Sequence, residues 1–154
     1  MLNKIFEDQE IKIFTDAVKN YFSVQTNNEA FIKTAFLSNA EIKTLDYTGI
    51  ITLSGDYKGC VYFTAPRFML VDLLTNMSET NVSEINLLDI VGEIANTISG
   101  NARKHFGKGL EISVPVKFSG KVQQLGHNIR QSPLTISILW KGFEAFVVVD
   151  IDKK

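Results

Sequence analysis

Along residues 8–23, DQEIKIFTDAVKNYFS, apolar side chains recur at Ile11, Phe14, Ala17, Val18 and Phe22, the period of a helix. FIKTAFL at 31–37 reads as a strand, and YTGIITLSGDYKGCVYFTAP at 47–66 as two β-rich runs turned back by GDYKG. A short helix is predicted over 67–78, RFMLVDLLTNMS. A long one is predicted over 83–107, SEINLLDIVGEIANTISGNARKHFG, with Ser83 as its N-cap and Gly107 at its close. Strands follow at 110–120, 133–140 and 143–151, the last two forming a hairpin about Lys141 and Gly142. Between them, KVQQLGHNIRQS at 121–132 is polar and irregular, a loop or a weak edge segment.

Helix, strand and hairpin at 8–66 are followed by helix, strand and hairpin at 83–151, a repeat of pattern though not of residues. No linker interrupts the chain. The expectation is one α/β domain of the α+β kind over 1–154, two pseudo-repeated halves with helices packed on a largely antiparallel sheet.

Composition narrows the function. A chain of 154 residues that is 45% hydrophobic and 21% charged can build a single core. Its net charge of −1 and its dispersed lysines give no basic stripe, so no nucleic-acid partner is expected. Neither a signal-peptide apolar region nor a run of transmembrane length is present, and a cytoplasmic location without membrane contact is the default. Cys60 is the sole cysteine and sits in a strand-like run, as a small buried hydrophobe would. His105 and His127 lack the spacing of a metal site, so no metal or cofactor is expected to be held by this chain. Trp140 reads as a packing residue, and Arg103 and Lys104 suit the negative end of a helix dipole.

The long helix carries the one unusual pattern. At about 100° per residue, Leu87, Val91, Ile94, Ile98 and Ala102 share one side, the core face. Asp89, Glu93, Asn96, Gly100 and Arg103 share the other, within about 80°, and Gly92 borders them. Each glycine costs the helix about 1 kcal/mol relative to alanine. On a strip that served only for solubility, Lys, Glu or Gln would stand there instead. Glycines beside a Glu and an Asn leave room for another molecule's backbone. Two readings stand: a solvated face, and a docking surface. A carboxamide can accept from an attacking water while donating elsewhere, as a glutamine does in GTP hydrolysis. A carboxylate beside it can serve as a base or pair with a partner's cation.

DIVGEIANTISGNA at 89–102, followed by ISVPVKFSGK at 112–121 and preceded by the hairpin TGIITLSGDYKGCVYFTAP at 48–66, resembles the CheX branch of the CheC, CheX and FliY chemotaxis phosphatases. The resemblance implies hydrolysis of the aspartyl phosphate of a CheY-like response-regulator receiver by a helix inserted into the receiver's site. The receiver would supply the phospho-aspartate and a bound Mg²⁺. Carried over, Asn96 positions the attacking water, Glu93 pairs with the receiver's active-site lysine, and Asp89 supports docking or helix structure; Gly92 and Gly100 are expected to support docking by their place on the strip. The alternative is a non-catalytic module that binds a receiver or motor component through the same face. CheC-type relatives carry the motif in both halves; here no Glu stands three residues before Asn20, so one active helix is expected. A homodimer, joined through strand edges of the second half that include 121–132, is implied by the same resemblance.

Overall fold

A computed structural model describes residues 8–37, 44–121 and 133–154. Helix α1 spans Asp8–Thr26, followed by strands β1 (Phe31–Leu37), β2 (Tyr47–Gly55) and β3 (Tyr57–Ala65). Helices α2 (Arg67–Asn76) and α3 (Glu84–Phe106) come next, then β4 (Leu110–Ile112), β5 (Val116–Ser119), β6 (Leu134–Trp140) and β7 (Phe143–Lys153). All the strands join one antiparallel sheet in the order β1-β6-β7-β3-β2-β4, with β5 beside β4 on the outer edge of β2.

That order explains the sequence repeat. The two hairpins, β2–β3 and β6–β7, meet at the β3·β7 seam in the centre of the sheet. The remaining strands cross over: β1 of the first half lies beside β6 of the second, and β4 and β5 lie beside β2. Each half thus completes the sheet of the other, and neither buries its apolar face alone.

Alternation along the strands sends Ile51, Val61, Phe63, Ile136, Val147 and Val149 to one face of the sheet. There they form a single core with Phe14, Val18 and Phe22 of α1 and Leu87, Val91, Ile94 and Ile98 of α3, every one of these fully or nearly fully buried. Trp140 fills this core, as expected of a packing residue, and its indole N–H donates to the Asn28 carbonyl at 3.2 Å. The opposite face carries a small cluster of Ile50, Cys60, Tyr62 and Val148. Cys60 is buried and unbridged, and burial pushes its thiol up to about 12, so it is an inert packing group.

Two local features depart from the expected elements. The single strand predicted over 110–120 is broken into β4 and β5. Ile112 pairs with Leu53 and Val116 with Ile50, so Ser113, Val114 and Pro115 stand opposite only Ile51 and Thr52. Pro115 has no N–H to give the ladder, and the extra residue is accommodated as a bulge, where the Ser113 hydroxyl accepts from the Thr52 N–H at 2.9 Å. Helix α1 also runs three residues past the predicted 8–23 before Asn27, at φ 58°, ends it. The second hairpin is as expected: Lys141 and Gly142 both have positive φ, 49° and 84°, the mirror-type turn that suits strand twist. The segment 122–132, with His127, lies outside the described residues.

Candidate functional site

Ser83 caps α3, its hydroxyl accepting from the Asn86 N–H at 3.4 Å, and Glu84 in the first turn accepts from the Tyr47 hydroxyl at 2.6 Å. Arg103, Lys104 and His105 occupy the last turn, where cations favour the helix dipole. The predicted core face is entirely buried: Leu87, Val91, Ile94, Ile98 and Ala102. On the opposite side Asp89, Glu93, Asn96 and Arg103 are exposed. The polar strip therefore exists as a ridge, open to solvent along its length.

Gly49 and Gly92 decide how this ridge is held. A Cβ built at Gly49 in β2 would collide with the backbone of Val91 and Gly92. The missing side chain lets α3 lie directly on the strand. A Cβ at Gly92 would stand 2.7 and 2.9 Å from Cδ and Cγ of Lys117 and 3.3 Å from Cβ of Pro115. Gly92 is buried, and what lies against it is the chain's own Lys117 stem. Its place in the fold is internal packing of α3 against β5, which differs from the partner approach expected of it. At Gly100, by contrast, nothing stands within 4 Å of where a Cβ would be.

Lys117 reaches past Gly92 to Asp89, Nζ to Oδ1 at 2.6 Å. With both side chains partly in water this pair is worth only about 0.2–1 kcal/mol, yet it occupies the Asp89 charge with an internal cation. Glu93, one turn on, has no ion-pair partner among the described residues. Of the two carboxylates on the ridge, Glu93 is the one available to a visiting cation.

Helix α1 also buries Tyr21, which the hydrophobic pattern alone did not single out. It is buried, its hydroxyl has no hydrogen-bond partner, and burial together with the nearby Glu93 charge holds the phenol well above its ordinary range. The signal was present in the sequence, since Tyr21 lies three and four residues after Val18 and Ala17 on the core stripe of α1. Lys117 had no comparable signal.

Helix α1 does not duplicate the Glu–Asn pair. The residue three before its exposed Asn20 is Ala17, which is buried. Beside it, Asp16, Lys19, Asn20, Ser23 and Glu29 line a groove of about 450 Å³ between α1 and β1, away from the α3 ridge. No group of three His, Cys, Asp or Glu among the described residues could hold a metal ion, and no described helix is long and apolar enough to cross a membrane.

Several solved structures share this fold. A CheC-like superfamily protein from Shewanella sp. PV-4 is 21% identical, with a TM-score of 0.80 over 96% of this chain and 99% of that one. The chemotaxis protein CheX from Vibrio vulnificus is 20% identical, with a TM-score of 0.78 over 94% and 99%. CheX of Borrelia burgdorferi, solved as a CheX–CheY–BeF3–Mg²⁺ complex, is 15% identical, with a TM-score of 0.76 over 94% and 98%. No curated protein matches the chain significantly in sequence. The family model described as chemotaxis phosphatase CheX matches residues 47–139, from the first strand of the β2–β3 hairpin through α3 to β6. On that match, which spans more than half of the chain and contains the whole Glu–Asn ridge, the protein belongs to the CheX family of chemotaxis phosphatases.

Proposed function

We propose that the chain hydrolyses the aspartyl phosphate of a CheY-like receiver by laying the α3 ridge into the receiver's site. The observation that carries this is Glu93 and Asn96, exposed one helical turn apart on a rigidly seated helix, within the region that matches the CheX family. The Borrelia complex, which joins a protein of this fold to CheY with BeF3 and Mg²⁺, supports both the partner and the source of the metal.

In this reading the receiver holds the phospho-aspartate and Mg²⁺. The Asn96 carbonyl accepts from a water and holds it in line with the phosphorus. Water oxygen bonds to phosphorus as the bond from phosphorus to the aspartyl oxygen breaks, leaving the aspartate carboxylate and inorganic phosphate. Glu93 pairs with the receiver's lysine and so fixes the register of docking. Phosphoryl transfer needs alignment and charge stabilisation more than covalent help, which is why a helix with one amide and one carboxylate suffices.

The test is the decay of each phosphorylated receiver of the source genome, with Mg²⁺, alone and with the wild-type or Glu93→Ala protein. Accelerated decay that Glu93→Ala loses supports the phosphatase. Binding without acceleration by any receiver replaces it with a docking module that uses the same face.

Gly100 provides a separate check on the docking strip. Since a methyl group there meets nothing in the free protein, Gly100→Ala is expected to stabilise the fold by about 1 kcal/mol through helix propensity. The same methyl, projecting from the ridge, is expected to weaken receiver binding. Unchanged affinity in a titration with the receiver would remove Gly100 from the interface.

A further inference from the structure

Two carboxylates stand on the ridge, Asp89 and Glu93, both exposed and four residues apart, about one helical turn. To a cation arriving from outside they are the same chemistry on the same strip. Docking on the wrong one slides the helix by four residues, about 6 Å at about 1.5 Å per residue. The place meant for Asn96 would then be held by the residue four before it, Gly92, which has no side chain to hold a water. A ridge with two free acids thus has one productive register and one empty one.

The fold treats the two acids differently. Lys117 on β5 lies opposite Gly49 in the ladder, and Gly49 is where the Val91 and Gly92 backbone rests on the sheet. From there the lysine stem crosses α3 at Gly92, its Cδ and Cγ only 2.7 and 2.9 Å from where a Cβ would be. Glycine at 92 leaves the stem this path. At its end Nζ meets Asp89 Oδ1 at 2.6 Å, while Glu93 has no ion-pair partner among the described residues. Resting on the phosphatase reading, we propose that Lys117 is a positioning residue that sets the docking register. It cancels the charge of the acid that would place the helix one turn out, and leaves bare the acid that places Asn96 at the reacting phosphorus. The pair adds little to stability, being partly in water; its effect is on which carboxylate a partner's cation finds.

The experiment uses Lys117→Met, which keeps an apolar stem over Gly92 and removes the charge. With two equivalent acids exposed, half of the docked receivers sit in the empty register. The expected result is that kcat and KM for phosphorylated receiver fall together about twofold, with kcat/KM and Tm unchanged, because the barrier from the free proteins is not altered. Adding Asp89→Asn to Lys117→Met is expected to restore kcat, and Lys117→Arg, which keeps stem and charge, to retain it. A merely structural lysine would instead lower Tm or kcat/KM. Wild-type kinetics in Lys117→Met, a fall in kcat/KM, or no recovery in the double variant overturns the assignment.

The register is also read without turnover. A nitroxide is attached at Lys108→Cys, just beyond α3, where the buried Cys60 does not compete for the label. Its broadening of amide resonances is followed in each ¹⁵N-labelled receiver of the source genome loaded with BeF3 and Mg²⁺. One set of broadened amides is expected with the otherwise wild-type protein, a second set displaced by about 6 Å with Lys117→Met, and one set again in the double variant. A single unchanged set with Lys117→Met overturns the register role. If receivers bind but none is dephosphorylated faster, the phosphatase reading fails by itself and the amide pattern still decides the role of Lys117. If none binds, both fall.

Discussion

Asn96→Ala is expected to lower receiver-stimulated dephosphorylation by about 10²–10³, the range for losing one preorganised polar group from a transition state. The fold should be untouched. Asn96 is exposed on the solvent side of α3, and alanine is the better helix former, so unfolding should occur at or slightly above the wild-type temperature. Receiver affinity should change little, because the amide's part is to align water with phosphorus rather than to hold the partner. The separation matters. Loss of turnover with binding and Tm retained marks Asn96 as a group that acts on the reaction, while loss of binding marks it as a docking residue. Full activity in the variant, measured by the decay of phosphorylated receiver with Mg²⁺, would remove Asn96 from the mechanism.

Gly49→Ala is expected to produce the largest loss of stability of any single-methyl change at the helix–sheet contact. The added Cβ would overlap the backbone of Val91 and Gly92, which have no rotamer by which to yield. Either β2 bends or α3 lifts from it, and α3 is the element on which the ridge is mounted. Overpacking of this kind costs about 1–3 kcal/mol, and a clash with backbone belongs at the upper end. At about 2–4 °C per kcal/mol for a domain of this size, the expected fall in Tm approaches 10 °C. Gly92→Ala is the matched control, with the same methyl on the other side of the contact. There the neighbour is mainly the flexible stem of Lys117, which can move aside, and helix propensity gives back about 1 kcal/mol. Thermal unfolding of the two variants side by side checks the argument. Similar Tm values would show that α3 is not held by close backbone approach at Gly49.

Much of the framework was legible because periodicity is local. The stripe of Leu87, Val91, Ile94, Ile98 and Ala102 marked the buried side of α3, and its complement placed Glu93 and Asn96 in solvent, as found. Ser83 as a cap and the Lys141–Gly142 turn were readable for the same reason: each is a contact or a backbone angle between residues a few positions apart. The single strand expected over 110–120 gave no warning of the break at Pro115, which a three-against-two bulge absorbs.

What only the tertiary structure decided is who lies beside the helix. Gly92 and Gly100 are the same residue type near the same strip, and sequence treats them alike. In the fold, the Lys117 stem covers one and nothing stands over the other, because β5 passes along only the first part of α3. Likewise Asp89 and Glu93 are two acids one turn apart. A lysine 28 positions from Asp89 occupies the first, and among the described residues no cation pairs with the second. Helical and strand periods fix which way a side chain points, since that depends on bond geometry within a few residues. They carry no information on what it meets there, since that depends on how β1, β4 and β5 cross between the halves to close one sheet.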